Sequence, residues 1–384
     1  MPRAETLAMI ERFIGFDTVS SNANLDLITF AKDFLETHGA EVSLSFDRDR
    51  RKANLLATLG PRDQPGFVLS GHTDVVPVAD QRWTSDPFAL AKRDDRLHGR
   101  GTCDMKGFLA IATAAVPRLV ARGLAVPLHL AMSYDEEVGC LGVPALIADM
   151  AARGLAPRGC IVGEPTGMQV VHGHKGKIGM DITVTGLEAH SSLSDRGVNA
   201  VEAAAEAVAF LKRRQRQIRA DGNCHPDFSA PNYTTIQCCV ASGGTAVNVI
   251  PARAAFHFEI RFLPGEDPHD HVRALKVFVA DEIEPEMRTV FPGAGFGWAD
   301  VPGCEAFWQD PTSDLIVLAQ RLAGTTDSGC VPFGTEAGYF ARAGYPTVVC
   351  GPGSIDQAHK PDEFVTLDQV ARCERFIDDL FLTH

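Results

Sequence analysis

Gly66-Phe67-Val68-Leu69-Ser70-Gly71-His72-Thr73-Asp74 is a short apolar run that ends on an imidazole and a carboxylate. The pattern recurs. Leu128-His-Leu-Ala-Met-Ser-Tyr runs into Asp135-Glu136-Glu137, Cys160-Ile-Val-Gly into Glu164-Pro, and Thr347-Val-Val-Cys-Gly leads through Pro-Gly-Ser to His359. Short uninterrupted apolar runs are what strands covered on both faces look like. Between them lie helical stretches near 105–121 and 142–152. Two more, at 4–17 (Leu7, Ile10, Phe13, Ile14) and 25–38 (Leu27, Ile28, Phe34, Leu35), precede the series. This alternation predicts an α/β fold, a mostly parallel sheet covered by helices. In such sheets, sites form beyond the carboxyl ends of the strands. If the strands are parallel neighbours, their terminal His and acids converge there, and Asp104, at the start of the helix expected near 105, can join them.

At residue 177 the texture changes. Ile178-Gly-Met-Asp-Ile-Thr-Val-Thr alternates as a half-exposed strand does. An Ala-rich helix follows at 198–219, then strands at 233–241 and 252–263 and a helix at 268–286. That β-α-β-β-α order begins a ferredoxin-like α+β unit, with the Gly- and Pro-rich 292–303 segment as its exit. Helices near 313–323 and 335–343, the strand from Thr347 and a helix from 366 restore the first texture. The domains expected are therefore 1–177 with 304–384, which would hold metal, and an inserted 178–303. A length of 384 residues suits two or three domains.

Composition narrows the function. The chain is 45% hydrophobic and 22% charged, a globular mix. Thirty-six basic against 49 acidic residues give a net charge of −13, which argues against nucleic-acid or anionic-membrane partners. No apolar run long enough for a bilayer is present. The N-terminus, MPRAETLAMIERFIGFD, reads as an amphipathic helix and not a signal peptide. Ten Cys without paired spacing suit reduced thiols and a cytoplasmic location.

Crowded carboxylates repel and take up protons unless something positive holds them. Two divalent cations against three ligand carboxylates leave a net positive site, and imidazole plus carboxylate without Cys suits zinc, with cobalt or manganese as other options. Each residue alone has a plainer reading: His72 a satisfied His, Asp104 a helix N-cap, Glu136 and Glu137 a solvated acidic pair, Glu164 a turn residue. Their shared position after strands favours the metal reading. Gly99-Arg-Gly and Gly351-Pro-Gly lack the features of phosphate loops. His172 and His174 read as hinge-region residues, and Cys103 as a packing residue.

GHTDVVP (71–77), GRGTCDMKG (99–107), DEEVG (135–139), GEPT (163–166) and AHKPDEF (358–364) together resemble the dinuclear zinc family of aminoacylases and exopeptidases. The likeness spans nearly the whole chain, in order. Ala189-His-Ser-Ser with RGVNAV, FGTEAG (333–338) and GPGSIDQAHKPDEF (351–364) resemble the family's acetylornithine deacetylase branch. The resemblance implies a zinc-exopeptidase-like catalytic domain carrying a lid and dimerisation domain, and two metal ions, zinc foremost and cobalt as an option. His72, Asp104 and Glu164 would hold one metal; Asp104, Glu137 and His359 the other. Asp74 would fix the His72 imidazole, and Glu136 would be the general base for a metal-bridging hydroxide. His190 would donate to the oxyanion, in its own or a partner subunit. Asn248 and Arg261 would bind a substrate carboxylate, and Glu336 would meet a substrate ammonium. A cis peptide after Asp104 is a further family feature. The implied reaction is deacetylation of N2-acetyl-L-ornithine by a homodimer. Succinyl-diaminopimelate, acetylcitrulline or small peptides are alternative substrates, and a metal-binding scaffold is the non-enzymatic alternative.

Overall fold

The computed structural model describes residues 1–382. The last two residues of the expected 304–384 segment lie outside the described residues. The chain divides into two compact units, Met1–His174 with Phe307–His384, and Lys175–Ala306.

The larger unit is built on a nine-stranded mixed sheet. Its middle runs Leu128–Ser133, Phe67–His72, Gly159–Pro165, Thr347–Gly351, all parallel. Ala53–Leu59 and Glu41–Phe46 extend one side antiparallel. Val170–His174 extends the other, carrying Phe307–Trp308 and Ser328–Val331. Every residue of the four middle strands is buried, which is why they read as unbroken apolar runs. Helices Ala4–Ile14, Leu25–Thr37, Lys106–Arg122, Asp314–Ala323 and Leu367–Leu382 share one core with the sheet, through residues such as Phe13, Phe108, Leu109, Ile316 and Ile377. Val143–Ala152 and Ala337–Arg342 pack on each other and on the sheet outside that core, covering the opposite face. His172 and His174, read as hinge-region residues, are buried in the strand Val170–His174, which ends where the larger unit gives way to the smaller one. Two-residue spacing put both imidazoles on one strand face, and the short VVHGH run was too brief to signal a strand.

The smaller unit orders its strands Thr235–Gly243, Arg253–Phe262, Gly176–Thr185, Gly295–Cys304, all antiparallel. Helix Ala200–Asp221 and the helical stretch from His269 to Val290, with a π turn at Val279–Ile283, complete a β-α-β-β-α-β unit. Met180, Ile182, Val184, Phe256, Phe258 and Ile260 meet Ala203, Ala207, Leu211 and Leu275 in its core. Asn199 caps the long helix, accepting from Val201 and Glu202 N–H groups at 3.0 and 3.3 Å, a contact worth about 1 kcal/mol. The segment expected as an exit, 292–303, holds the fourth strand. Its glycines and Pro302 obscured it, yet Phe296 and Trp298 pair with Val184 and Ile182. An edge strand tolerates Pro at an irregularity such as the one between Val301 and Cys304.

Candidate dinuclear metal site

The middle strands end together, so the residues that follow them meet. His72 closes one strand and Glu164 lies near the end of its neighbour. Each follows a glycine, and both glycines are needed for close approach. A Cβ at Gly71 would come within 2.4 Å of Met105, and one at Gly163 within 2.1 Å of the Phe108 ring. Sheet and helix Lys106–Arg122 therefore press together where Asp104 leads into that helix. The Asp104–Met105 peptide is cis. Asp104 is not the helix N-cap: Met105 holds that position, without a side-chain cap.

Asp104 lies between two imidazoles. Its Oδ1 is 3.1 Å from His72 Nε2 and its Oδ2 is 3.3 Å from His359 Nε2. Glu164 Oε1 is 3.8 Å from His72 Nε2, and Glu137 Oε2 is 3.1 Å from His359 Nε2. Two sets, His72–Asp104–Glu164 and Asp104–Glu137–His359, each bring their ligand atoms within 4.8 Å of one another and share Asp104. His72, Asp104 and Glu164 are buried, whereas the His359 side chain is 53% exposed on a backbone with φ 62°.

The electrostatics show what the cluster needs. Burial pushes Glu136 and Glu164 well above the ordinary carboxylate range, with acidic neighbours adding to it, and Glu137 moves the same way. Hydrogen bonds to Asp104 and Glu137 raise His359 to about 10. His72 rises well above its ordinary value because bonding to Asp104 and the charges of Glu164 and Glu136 outweigh its burial. For Asp104, burial is outweighed by bonds from His359 and His72, and it falls well below the usual range. Without metal, the acids are thus balanced by protons on two imidazoles, the atoms that cations would displace. The buried Glu137 Oε1 has no hydrogen-bond partner. An oxygen-and-imidazole donor set with one shared carboxylate fits a pair of divalent cations.

Asp74 acts in two ways. His72 Nδ1 donates to the Asp74 backbone carbonyl at 2.8 Å, which turns Nε2 toward Asp104. So the main chain, not the expected carboxylate, holds the ring; Asp74 Oδ1 stands 3.6 Å from Nδ1. The carboxylate instead accepts from the Glu136 and Glu137 N–H groups at 3.0 and 3.3 Å and from Ser20 Oγ at 2.7 Å. It fixes the loop that carries Glu136 beside Glu137. Lys52 pairs with Asp135 at the head of that loop.

Glu336 is as deeply buried as His72, at 0% exposed, and burial pushes it up to about 7, opposed by the Ser133 hydroxyl and His72. A residue at the start of helix Ala337–Arg342 gave no sign in sequence of lying beneath the loops that end the sheet.

The remaining three belong to the smaller unit. His190, in Ala189–His190, pairs with Val249, and Ser191 N–H donates to the Asn248 carbonyl at 3.0 Å, so His190 and Asn248 share one exposed two-stranded ribbon. The Ser192 N–H donates to His190 Nδ1 at 3.2 Å, which puts the proton of the neutral ring on Nε2. Arg261 Nε donates to Glu259 Oε1 at 2.9 Å. Sequence reasoning assigned no role to Ser20, Gln81, Arg100 or Glu363. Glu363 lay within a quoted motif, but nothing in a turn-like KPDEF signals that its carboxylate binds distant backbone.

Among the described residues, no helix is long and apolar enough to cross a membrane. Residues 68–383 match the family described as Peptidase family M20/M25/M40. The chain is 36% identical over 356 residues to acetylornithine deacetylase of Proteus mirabilis (strain HI4320), covering 91% of this chain and 88% of that protein. Its fold resembles an M20 family metallo-carboxypeptidase of Sulfolobus solfataricus (TM-score 0.78, 18% identity, 98% of each chain). It also resembles a Bacillus subtilis protein described as a dinuclear metal binding peptidase from the M20 family (TM-score 0.66, 14% identity, 99% of this chain and 98% of that one). With the match spanning most of its length, the chain belongs to peptidase family M20/M25/M40, whose members are hydrolases of amide bonds.

Proposed function

We propose that the protein is a cytoplasmic, metal-dependent amidohydrolase that removes the acetyl group from N2-acetyl-L-ornithine, giving ornithine and acetate for arginine biosynthesis. The observation that carries this is the pair of His–carboxylate sets sharing Asp104, with Glu136 adjoining a ligand without being one. The name of the Proteus mirabilis relative supports the substrate.

His72, Asp104 and Glu164 would hold one metal ion and Asp104, Glu137 and His359 the other, with zinc proposed and cobalt a workable substitute. When bound, such ions supply Lewis acidity toward the amide carbonyl and acidify a nearby water. Glu136 takes a proton from the attacking water onto its carboxylate and returns it to the departing amine nitrogen. Asp74 keeps Glu136 in place through its backbone N–H. His190 donates from Nε2 to the developing oxyanion, within its own or a partner subunit. Asn248 and Arg261 meet the substrate carboxylate, Arg261 sharing its guanidinium with Glu259. The protein is proposed to be a homodimer through the Lys175–Ala306 unit.

The test is a panel of N-acyl amino acids assayed on metal-stripped protein restored with zinc or cobalt, with metal content measured on the same samples. Acetylornithine should lead the panel, and Glu136→Gln should keep both metals while losing about two to four orders of magnitude in kcat. Preference for succinyl-diaminopimelate or a dipeptide overturns the substrate assignment. Near-normal turnover of Glu136→Gln removes that residue from the mechanism.

A further inference from the structure

The loop before Asp104 is held by a residue from the far end of the chain. Glu363 Oε1 accepts from the backbone N–H groups of Cys103 (2.8 Å), Asp104 (3.0 Å) and Gly101 (3.1 Å), and Oε2 lies 3.1 Å from the same Gly101 nitrogen. Glu363 is 1% exposed. A buried carboxylate needs a countercharge, and Arg100 Nη1, equally buried, donates to Oε2 at 2.7 Å. The arrangement does not end there. Arg100 Nη2 donates to Gln81 Oε1 at 2.6 Å, and Gln81 Nε2 donates to the backbone carbonyl of His359 at 3.0 Å. The Arg100 guanidinium also lies over the Trp83 ring, 5.0 Å from its centroid.

One connected set of hydrogen bonds thus reaches the backbone of both Asp104 and His359. These two residues come from opposite ends of the sequence, and their side chains must arrive 3.3 Å apart. Three N–H donors on one carboxylate fix where the Asp104 main chain sits, and so which way each of its oxygens faces. His359 stands on an exposed loop in a left-handed backbone conformation; its carbonyl is tied back through Gln81. The carboxylate is matched to this task. An amide in its place would turn an NH2 group either toward three N–H donors or toward Arg100.

We propose that Glu363 is a positioning residue that, through the 101–104 backbone and through Arg100 and Gln81, presets Asp104 and His359 for metal. The proposal rests on the metal reading given above and goes beyond it by assigning the frame that holds the ligands.

The test titrates metal-stripped protein with zinc against a chelating indicator. Wild type should take up two ions per chain. Glu363→Gln should weaken at least one of them by about 10- to 100-fold, the range typical of partners behind metal ligands. Gln81→Ala, which cuts the bond to His359 and removes the acceptor shared by Arg100 Nη2 and Trp83 Nε1 but leaves the Glu363 bonds to the 101–104 backbone in place, should weaken the ion at His359 several-fold and the other ion less. In both variants kcat should fall with KM held within about twofold, a split that general loosening would not produce. Should Glu363→Gln fail to fold, Gln81→Ala decides alone. Wild-type affinity for both ions in the folded variants overturns the proposal. A wild-type protein that binds no divalent ion overturns the metal reading itself, a different result on the same instrument.

Discussion

The two sheets of this protein carry chemistry in different ways. In the mixed sheet, four parallel strands direct their carboxyl ends to one edge, and the residues that follow them collect there without needing to be near in sequence. In the antiparallel sheet, neighbouring strands point opposite ways, so no edge gathers all their ends. The candidate residues of that unit sit on a separate two-stranded ribbon, His190 and Asn248, and on a strand of the sheet, Arg261. The first arrangement is buried at His72, Asp104 and Glu164, opens to solvent at His359, and is held by many bonds. The second is exposed and held by few, among them the Ser192 contact that sets the His190 tautomer. Substitutions of the proposed ligands in the first should therefore remove the metal centre, and substitutions in the second should spare it.

The largest effect belongs to Asp104. Its two oxygens serve both ligand sets, so Asp104→Ala should abolish stoichiometric metal uptake and bring turnover down to that of the chelated wild type. Elemental analysis beside an activity assay reads both. Two ions still bound to the variant would show that Asp104 is not shared, and the contrast between the two sheets would lose its anchor.

His190→Ala tests the other side. Loss of one oxyanion donor lowers kcat by about 10²–10³, and because the ribbon takes no part in the ligand sets, both ions should remain. Unchanged kcat would leave the smaller unit without a chemical role. Loss of metal would break the division of labour from the opposite direction.

The strands that end in acids were legible because burial on both faces leaves an uninterrupted apolar run; position pointed to the cluster, and the family resemblance sorted its members into two ligand sets. Asp104 was harder, since an acid ahead of a helix has an N-cap as its plain meaning, and only the coordinates give Met105 that place. Glu363, Arg100 and Gln81 were not legible as a group. Their partners are backbone N–H groups and carbonyls up to 278 residues away, and no periodicity encodes such contacts. Gly295–Cys304 was missed for a local reason: its pairing partners Val184 and Ile182 supply the order that its own glycines and proline deny. The Asp74 carboxylate was expected on His72, but two backbone N–H groups and Ser20 compete for it and win.

The smallest expected effect concerns Glu336, a carboxyl beneath the metal ligands rather than among them. Burial raises it from 4.5 to about 7 in the folded chain without metal. A carboxyl that binds its proton more tightly folded than unfolded contributes stability that is fully present below about pH 4.5 and is lost as the pH rises through about 7. Glu336→Gln keeps the shape and removes the titration. Urea unfolding of metal-stripped protein should therefore show the variant gaining on wild type between pH 4.5 and 7, by on the order of 3 kcal/mol at most. Metal must be absent because cations nearby would favour the ionised form and shrink the difference. A gain independent of pH would mean that Glu336 is ionised throughout and that the base of the site is wetter than its burial suggests. In that case the base of the cluster would differ less from the exposed ribbon, and the strand ends would owe their chemistry to convergence more than to exclusion of water.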